Sequence, residues 1–182
     1  MGNSSRKGVA AVLTGAAAVA MIAGTPHKAP AALKALAARS APAVPARDRP
    51  GGLRWPLVAR GDKGPRVIDI QYLLNERIGA GLKVNGTFGP QTERAVRRFQ
   101  AKHSLAANGM VGDQTWAHLV ITVKLGSSGP AVSAVQHSLG NMSGHFNAAT
   151  KAKVESFQAK YHIAADGIVG PVTWNALVIH EP

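Results

Sequence analysis

The 182-residue chain has no cysteine. This excludes disulfides, thiolate metal centres, cysteine nucleophiles and lipid attachment at a lipoprotein-type cleavage site. Aromatic residues are scarce, at 5% of the chain, so each one present is a strong candidate for a core position. Acidic residues number 9 against 21 Lys and Arg, a formal net charge of +12. The excess is unevenly placed: from Trp55 to Pro182 there are 13 Lys and Arg against 8 Asp and Glu, a net of +5. The later part is therefore only moderately basic, which suits an anionic partner without selecting one.

A long, strongly apolar run is also missing. Arg6 and Lys7 precede the uncharged stretch Gly8 to Ala23, GVAAVLTGAAAVAMIA, and Pro26 follows. This is the layout of a signal peptide. The stretch is too short and too rich in alanine to span a hydrocarbon layer of ~30 Å, so no stable membrane span is expected. We expect a leader over 1–31, cleaved at Ala29-Pro30-Ala31 or after Ala23 or Gly24; the alternative is an uncleaved anchor. Residues 32–54 are rich in Ala, Pro and Arg and carry few large apolar side chains, which predicts a flexible linker.

The rest of the chain repeats itself. Gly86–Ile121, GTFGPQTERAVRRFQAKHSLAANGMVGDQTWAHLVI, aligns without a gap to Gly144–Ile179, GHFNAATKAKVESFQAKYHIAADGIVGPVTWNALVI, with half of the positions identical. Upstream, Gly61, Gly64, Val67, Gln71 and Leu74 correspond to Gly126, Gly129, Val132, Gln136 and Leu139. The units run over 55–121 and 122–182, the second shorter by seven residues in the stretch matching Glu76 to Asn85.

Each unit predicts three helices, giving an all-α fold. In the first, Pro65 suits the opening position of a helix whose apolar face is Val67, Ile70, Leu74 and Ile78, ended by Gly79 and Gly81. Pro90 opens a second helix with Thr92, Ala95, Val96 and Phe99 inward, and Asp113 is the expected cap of a third that turns Trp116, Leu119 and Val120 inward. Pro130 and Pro171 open the first and third helices of the second unit, with Val132, Val135 and Leu139, then Trp174, Leu177 and Val178, facing in. Val154 and Phe157 mark its middle helix.

The run Val84–Leu119, VNGTFGPQTERAVRRFQAKHSLAANGMVGDQTWAHL, resembles the small three-helix peptidoglycan-binding domain found beside many bacterial wall hydrolases. The family pattern is V-D-G-x-F-G-P-x-T-x-x-A-V-x-x-F-Q followed by D-G-x-V-G-P-x-T-W. The first copy departs from it at Asn85, Asn108 and Asp113; the second departs at Ser143, Asn147 and Ala148 but keeps Asp166, Gly167, Gly170, Pro171 and Trp174. The resemblance implies two tandem three-helix modules in a secreted, cell-wall-associated bacterial protein whose partner is peptidoglycan, by its stem peptide or its glycan strand.

A stem peptide carries carboxylates on a short backbone, so its receptor needs oriented donors, which helix starts supply. Candidate ligand-binding residues are Asn85, Gly86, Thr87, Gly89 and Thr92 at one turn, Asn108, Gly109, Gly112 and Thr115 at the next, and Asp166, Gly167, Gly170 and Thr173 in the second copy. A purely structural role, capping for Asn and Thr and positive φ for Gly, competes at each. Phe88, Phe99 and Trp116 read as core. Arg94, Arg97, Arg98 and Lys102 form a basic face that is either solvated or meets anionic wall polymers.

The seven histidines show neither H-E-x-x-H nor an H-x-H pair, and the chain has no nucleophile elbow. No catalytic residue, metal or cofactor is therefore expected, and no enzyme. A helix-turn-helix DNA binder would explain the basic helix, but an exported chain would not meet DNA, and the identity between copies falls in turns; no nucleic-acid partner is expected. Docking onto a separate wall hydrolase remains the alternative use of the same modules.

Overall fold

The computed structural model describes residues 52–140 and 143–180, all within one compact unit. The expected leader and residues 32–51 of the expected linker lie outside them. Among the described residues are six helices: α1 (Pro65–Ile78), α2 (Pro90–Lys102), α3 (Asp113–Leu119), α4 (Pro130–Ser138), α5 (Ala148–Lys160) and α6 (Pro171–His180). The remaining pairing is by isolated bridges, Val58 with Val111, Lys63 with Thr87, Val123 with Val169 and Ser128 with His145. Each copy thus has three helices, as the sequence predicts.

Proline at the first turn of α1, α2 and α4 sits where the missing N–H has no intrahelical partner anyway. Gly79 ends α1 in the left-handed conformation, φ 55°, and returns its N–H to the Asn75 carbonyl at 3.1 Å. The expected cap at Asp113 is corrected: Gly112 holds that position, and Asp113 is the first residue of α3. The Asp113 carboxylate instead accepts from the Trp55 N–H at 2.7 Å, fastening the incoming chain to the helix start.

Trp116 and Trp174 are fully buried, as are Phe88, Phe99, Phe146, Leu73 and Leu74. Each fully buried side chain of this size contributes about 1.5–3 kcal/mol of transfer free energy. The two indole N–H groups would be costly if unpaired, and each is met by a backbone carbonyl of the segment that leads into its copy, Pro56 at 2.9 Å and Ile121 at 2.7 Å. Trp55 stacks on Trp116, ring centroids 5.3 Å apart.

The copies share one hydrophobic core, with α1 packed against α4 as well as against α2 and α3. Two charged side chains mark the seam. The Arg66 guanidinium donates to the Val178 carbonyl at 2.8 Å, at the end of α6. The Glu76 carboxylate lies over the start of α4, so close that a Cβ on Gly129 would sit 2.8 Å from it. Negative charge at a helix start and positive charge at a helix end both complement the macrodipole, so the first copy supports two helices of the second, α4 at its start and α6 at its end.

Candidate functional site

The candidate residues fall on three turns, and these share one construction with a fourth, Ser143–Thr150. In each, a buried glutamine from the preceding helix reaches into the turn and holds it by both ends of its carboxamide. Gln71 donates from Nε2 to Asn85 Oδ1, the Thr87 carbonyl and Thr92 Oγ1 at 3.0, 3.1 and 3.3 Å, and accepts at Oε1 from the N–H groups of Asn85 and Gly86. Gln100 repeats this with Asn108 Oδ1, the Met110 carbonyl and Thr115 Oγ1 at 3.0, 2.8 and 3.0 Å, accepting from Gly109 at 2.9 Å. Gln158 treats Asp166, Ile168, Thr173 and Gly167 alike. Gln136 does so with Ser143, His145, Thr150 and Gly144.

These contacts place the predicted threonines, asparagines, Asp166 and the inner glycines of the turns. Thr92, Thr115 and Thr173 are buried at 3–5% exposure, their hydroxyls turned inward to the glutamines. Asn85, Asn108 and Asp166 are exposed, yet each folds an oxygen back onto the N–H two residues on, at Thr87, Met110 and Ile168. For Asp166 that backbone hydrogen bond, with the Gln158 amide second, holds the carboxyl below its ordinary range. Gly86, Gly109 and Gly167 are buried and sit at φ +66°, +76° and +71°. A Cβ on Gly109 would lie 2.9 Å from Glu93 and Arg97, and one on Gly167 2.7 Å from Lys151, so conformation and close packing both call for glycine.

Gly89, Gly112 and Gly170 are different. Gly89 and Gly112 are the N-caps of α2 and α3 in extended backbone, φ −90° and −112°, which any residue adopts. A Cβ on Gly89 or Gly170 would meet nothing within 4 Å, and one on Gly112 only Leu57 at an ordinary 3.5 Å. Neither backbone nor packing demands glycine there, and no side chain of the N-cap residue covers the first turn of α2 or α3. The start of α5 is the contrast: Asn147 accepts from the Thr150 N–H at 2.9 Å and so caps its own helix.

The start of α3 also opens on a cavity of about 190 Å³, lined by Leu57, Asn108, Met110, Asp113 and Gln114 among others. Leu57 is 66% exposed and Met110 38%, apolar surface left in water beside a carboxylate, two carboxamides and bare backbone donors. The wall thus sets hydrogen-bond donors, one carboxylate and apolar surface side by side. Among the described residues no cluster of three or more His, Asp or Glu has the spacing to hold a metal, and no helix is long and apolar enough to cross a membrane.

From sequence alone the four glutamines carry no site role, although Gln71 and Gln136 correspond across the copies. The signal lay within each copy: Asn85-Gly86 through Thr92 and Asn108-Gly109 through Thr115 follow one pattern, and so do Ser143–Thr150 and Asp166–Thr173.

Comparison with known proteins matches this repetition. The profile of the family described as "Putative peptidoglycan binding domain" fits residues 63–119 and again 128–177. The chain is similar to a zinc D-Ala-D-Ala carboxypeptidase of Streptomyces albus G, 36% identical over 117 residues, covering 59% of this chain and 43% of that protein. It is also similar to the N-acetylmuramoyl-L-alanine amidase CwlM of Mycobacterium tuberculosis, 33% identical over 109 residues, covering 50% of this chain and 27% of the relative. The chain therefore spans less than half the length of either relative. Among solved structures, a peptidoglycan-binding protein of Clostridioides difficile matches at 33% identity and a TM-score of 0.34, over 35% of this chain and 40% of that one. With one copy on each side of a shared core, the chain belongs to the peptidoglycan-binding domain family.

Proposed function

We propose that this is a secreted, non-catalytic cell-wall protein that binds peptidoglycan through its two modules. The observation that carries the reading is the family match in both copies. Residues 1–31 serve as the export signal and 32–54 as the linker that precedes the two modules. Contact centres on the uncapped starts of α2 and α3, with Asn85, Thr87, Gly89, Asn108 and Gly112 at the surface and the buried threonines and glycines shaping the turns behind them. In the second copy Asp166 and Gly170 offer the matching start of α6. The α5 start is occupied by Asn147, so the second copy presents one such face rather than two. Linked faces on a polymeric ligand add avidity through effective concentration.

Docking onto a partner hydrolase is the second reading, favoured by the longer relatives, which are named as a carboxypeptidase and an amidase. One experiment separates the two. The purified protein is sedimented with clean sacculi at low ionic strength, alongside a Leu57→Asp, Met110→Asp variant altered only at exposed side chains. Binding by the wild type and its loss in the variant, with helicity retained, is the expected result. A wild type that stays in the supernatant overturns the wall reading, and an equally bound variant overturns the site. Incubation of the same sacculi with the protein should release no soluble fragments.

A further inference from the structure

The two copies differ where the second is shorter, and the difference forms a second site. The segment between Glu76 and Asn85 folds beside α2 and encloses an open cleft of about 490 Å³. Ala80, Gly81 and Leu82 form one wall, and Gln91, Arg94 and Arg98 line the other. Arg94 and Arg98, one helical turn apart, are both exposed. Arg98 reaches the Ile78 carbonyl at 3.4 Å, which leans it toward the extra segment. No Asp or Glu lines the cleft. The nearby acid of α2, Glu93, is engaged elsewhere, with Arg97 at 2.9 Å and Arg60 at 3.5 Å.

The second copy shows that the fold does not need these groups. The positions of Gln91, Arg94 and Arg98 are held there by Ala149, Ala152 and Ser156, and the wall segment is missing with them. Lys153 stands at the position of Ala95 and donates instead to the carbonyls of Leu139 and Gly140, both at 3.2 Å, tying down the end of α4. Extra segment, two guanidiniums and carboxamide are thus present together or absent together. Like charges four residues apart on a helix repel, a cost that an anion between them removes. Guanidinium forks bind the oxygen pairs of phosphate and carboxylate alike. A stem peptide also carries an ammonium group, and this cleft holds no carboxylate to receive one, whereas Asp113 lies at the α3 cavity.

We propose that the cleft between the 79–85 segment and α2 binds a phosphodiester-linked polyol polymer of the wall, independently of the α3 cavity. The probe is a short glycerol-phosphate oligomer, titrated calorimetrically into the full chain at low salt. The expected result is binding that weakens about ten-fold or more in the double variant Arg94→Gln, Arg98→Gln, the equivalent of losing one to two charge-assisted hydrogen bonds. Gln91→Glu, which adds a negative charge at an exposed lining position, should weaken it as well. Arg97→Gln removes one cation outside the cleft and should change it less than about two-fold, as for a screened surface charge. A soluble stem peptide should bind wild type and double variant alike. Equal losses in the Arg97 and Arg94/Arg98 variants would mean diffuse attraction and overturn the site. Retained oligomer binding in the double variant does the same, and a parallel loss of stem-peptide binding assigns the cleft to peptide carboxylates and overturns the proposal.

Discussion

Replacing Gln100 by Leu removes a carboxamide of similar size at 1% exposure, and with it the hydrogen bonds to Asn108 Oδ1, the Met110 carbonyl, Thr115 Oγ1 and the Gly109 N–H. At about 1 kcal/mol net for each hydrogen bond, losing all four sets an upper figure of about 4 kcal/mol. The turn lies at the surface and Met110 is 38% exposed, so water replaces part of the loss, and the leucine side chain recovers some transfer free energy. The expected destabilisation is about 2–3 kcal/mol. Urea denaturation followed by tryptophan fluorescence measures it, since Trp55 and Trp116 stack beside α3 and Trp174 reports from the other copy. Both copies should lose structure in one transition because they share a core. Hydrogen exchange supplies the local readout: the Gly109 N–H should lose its protection. A destabilisation below about 0.5 kcal/mol, the level of an ordinary surface substitution, would refute the reasoning that the glutamine holds the turn. So would unchanged protection at Gly109.

Gly89→Asn copies Asn147 onto α2 and should raise stability by about 0.5–1 kcal/mol, through a cap and a stiffer unfolded chain, while weakening sedimentation with sacculi; a gain in both would place the ligand elsewhere. Gly109→Ala forces a Cβ into the left-handed region beside Glu93 and Arg97 and should cost about 1–2 kcal/mol in the same urea assay, whereas Gly89→Ala should be close to neutral. The His103 imidazole is held below its ordinary range, by desolvation first and then by His118, Arg77 and Lys102. Its proton therefore binds the unfolded chain more tightly, so this group's contribution is fully present at neutral pH and is lost as pH falls through about 6.5 toward the folded value. Urea midpoints across that interval should fall less in His103→Gln than in wild type.

Much of the architecture was legible because it depends on period and punctuation. Pro65, Pro90, Pro130 and Pro171 mark helix starts through a fixed φ, and Trp116 and Trp174 recur at one place in each copy and are fully buried there. The resemblance in Val84–Leu119 named the family. The candidate residues fall on glutamine-held turns, but the sequence did not sort them by structural role. Sorting them needed the direction of each side chain, which depends on partners far along the chain: Thr115 turns inward because Gln100, fifteen residues earlier, needs an acceptor. Asp113 failed as a cap for the same reason, since its carboxylate is drawn to a backbone N–H 58 residues away.

The sequence by itself determined the helices, their pairing into two copies and the kind of family they form, because apolar period, proline and glycine act within a few residues. Tertiary structure alone decided that Gly109 and Gly167 are fixed by their backbone while Gly89 and Gly170 are not, and that the longer first copy opens an arginine-lined cleft. Those outcomes depend on distances between elements, which local pattern does not encode.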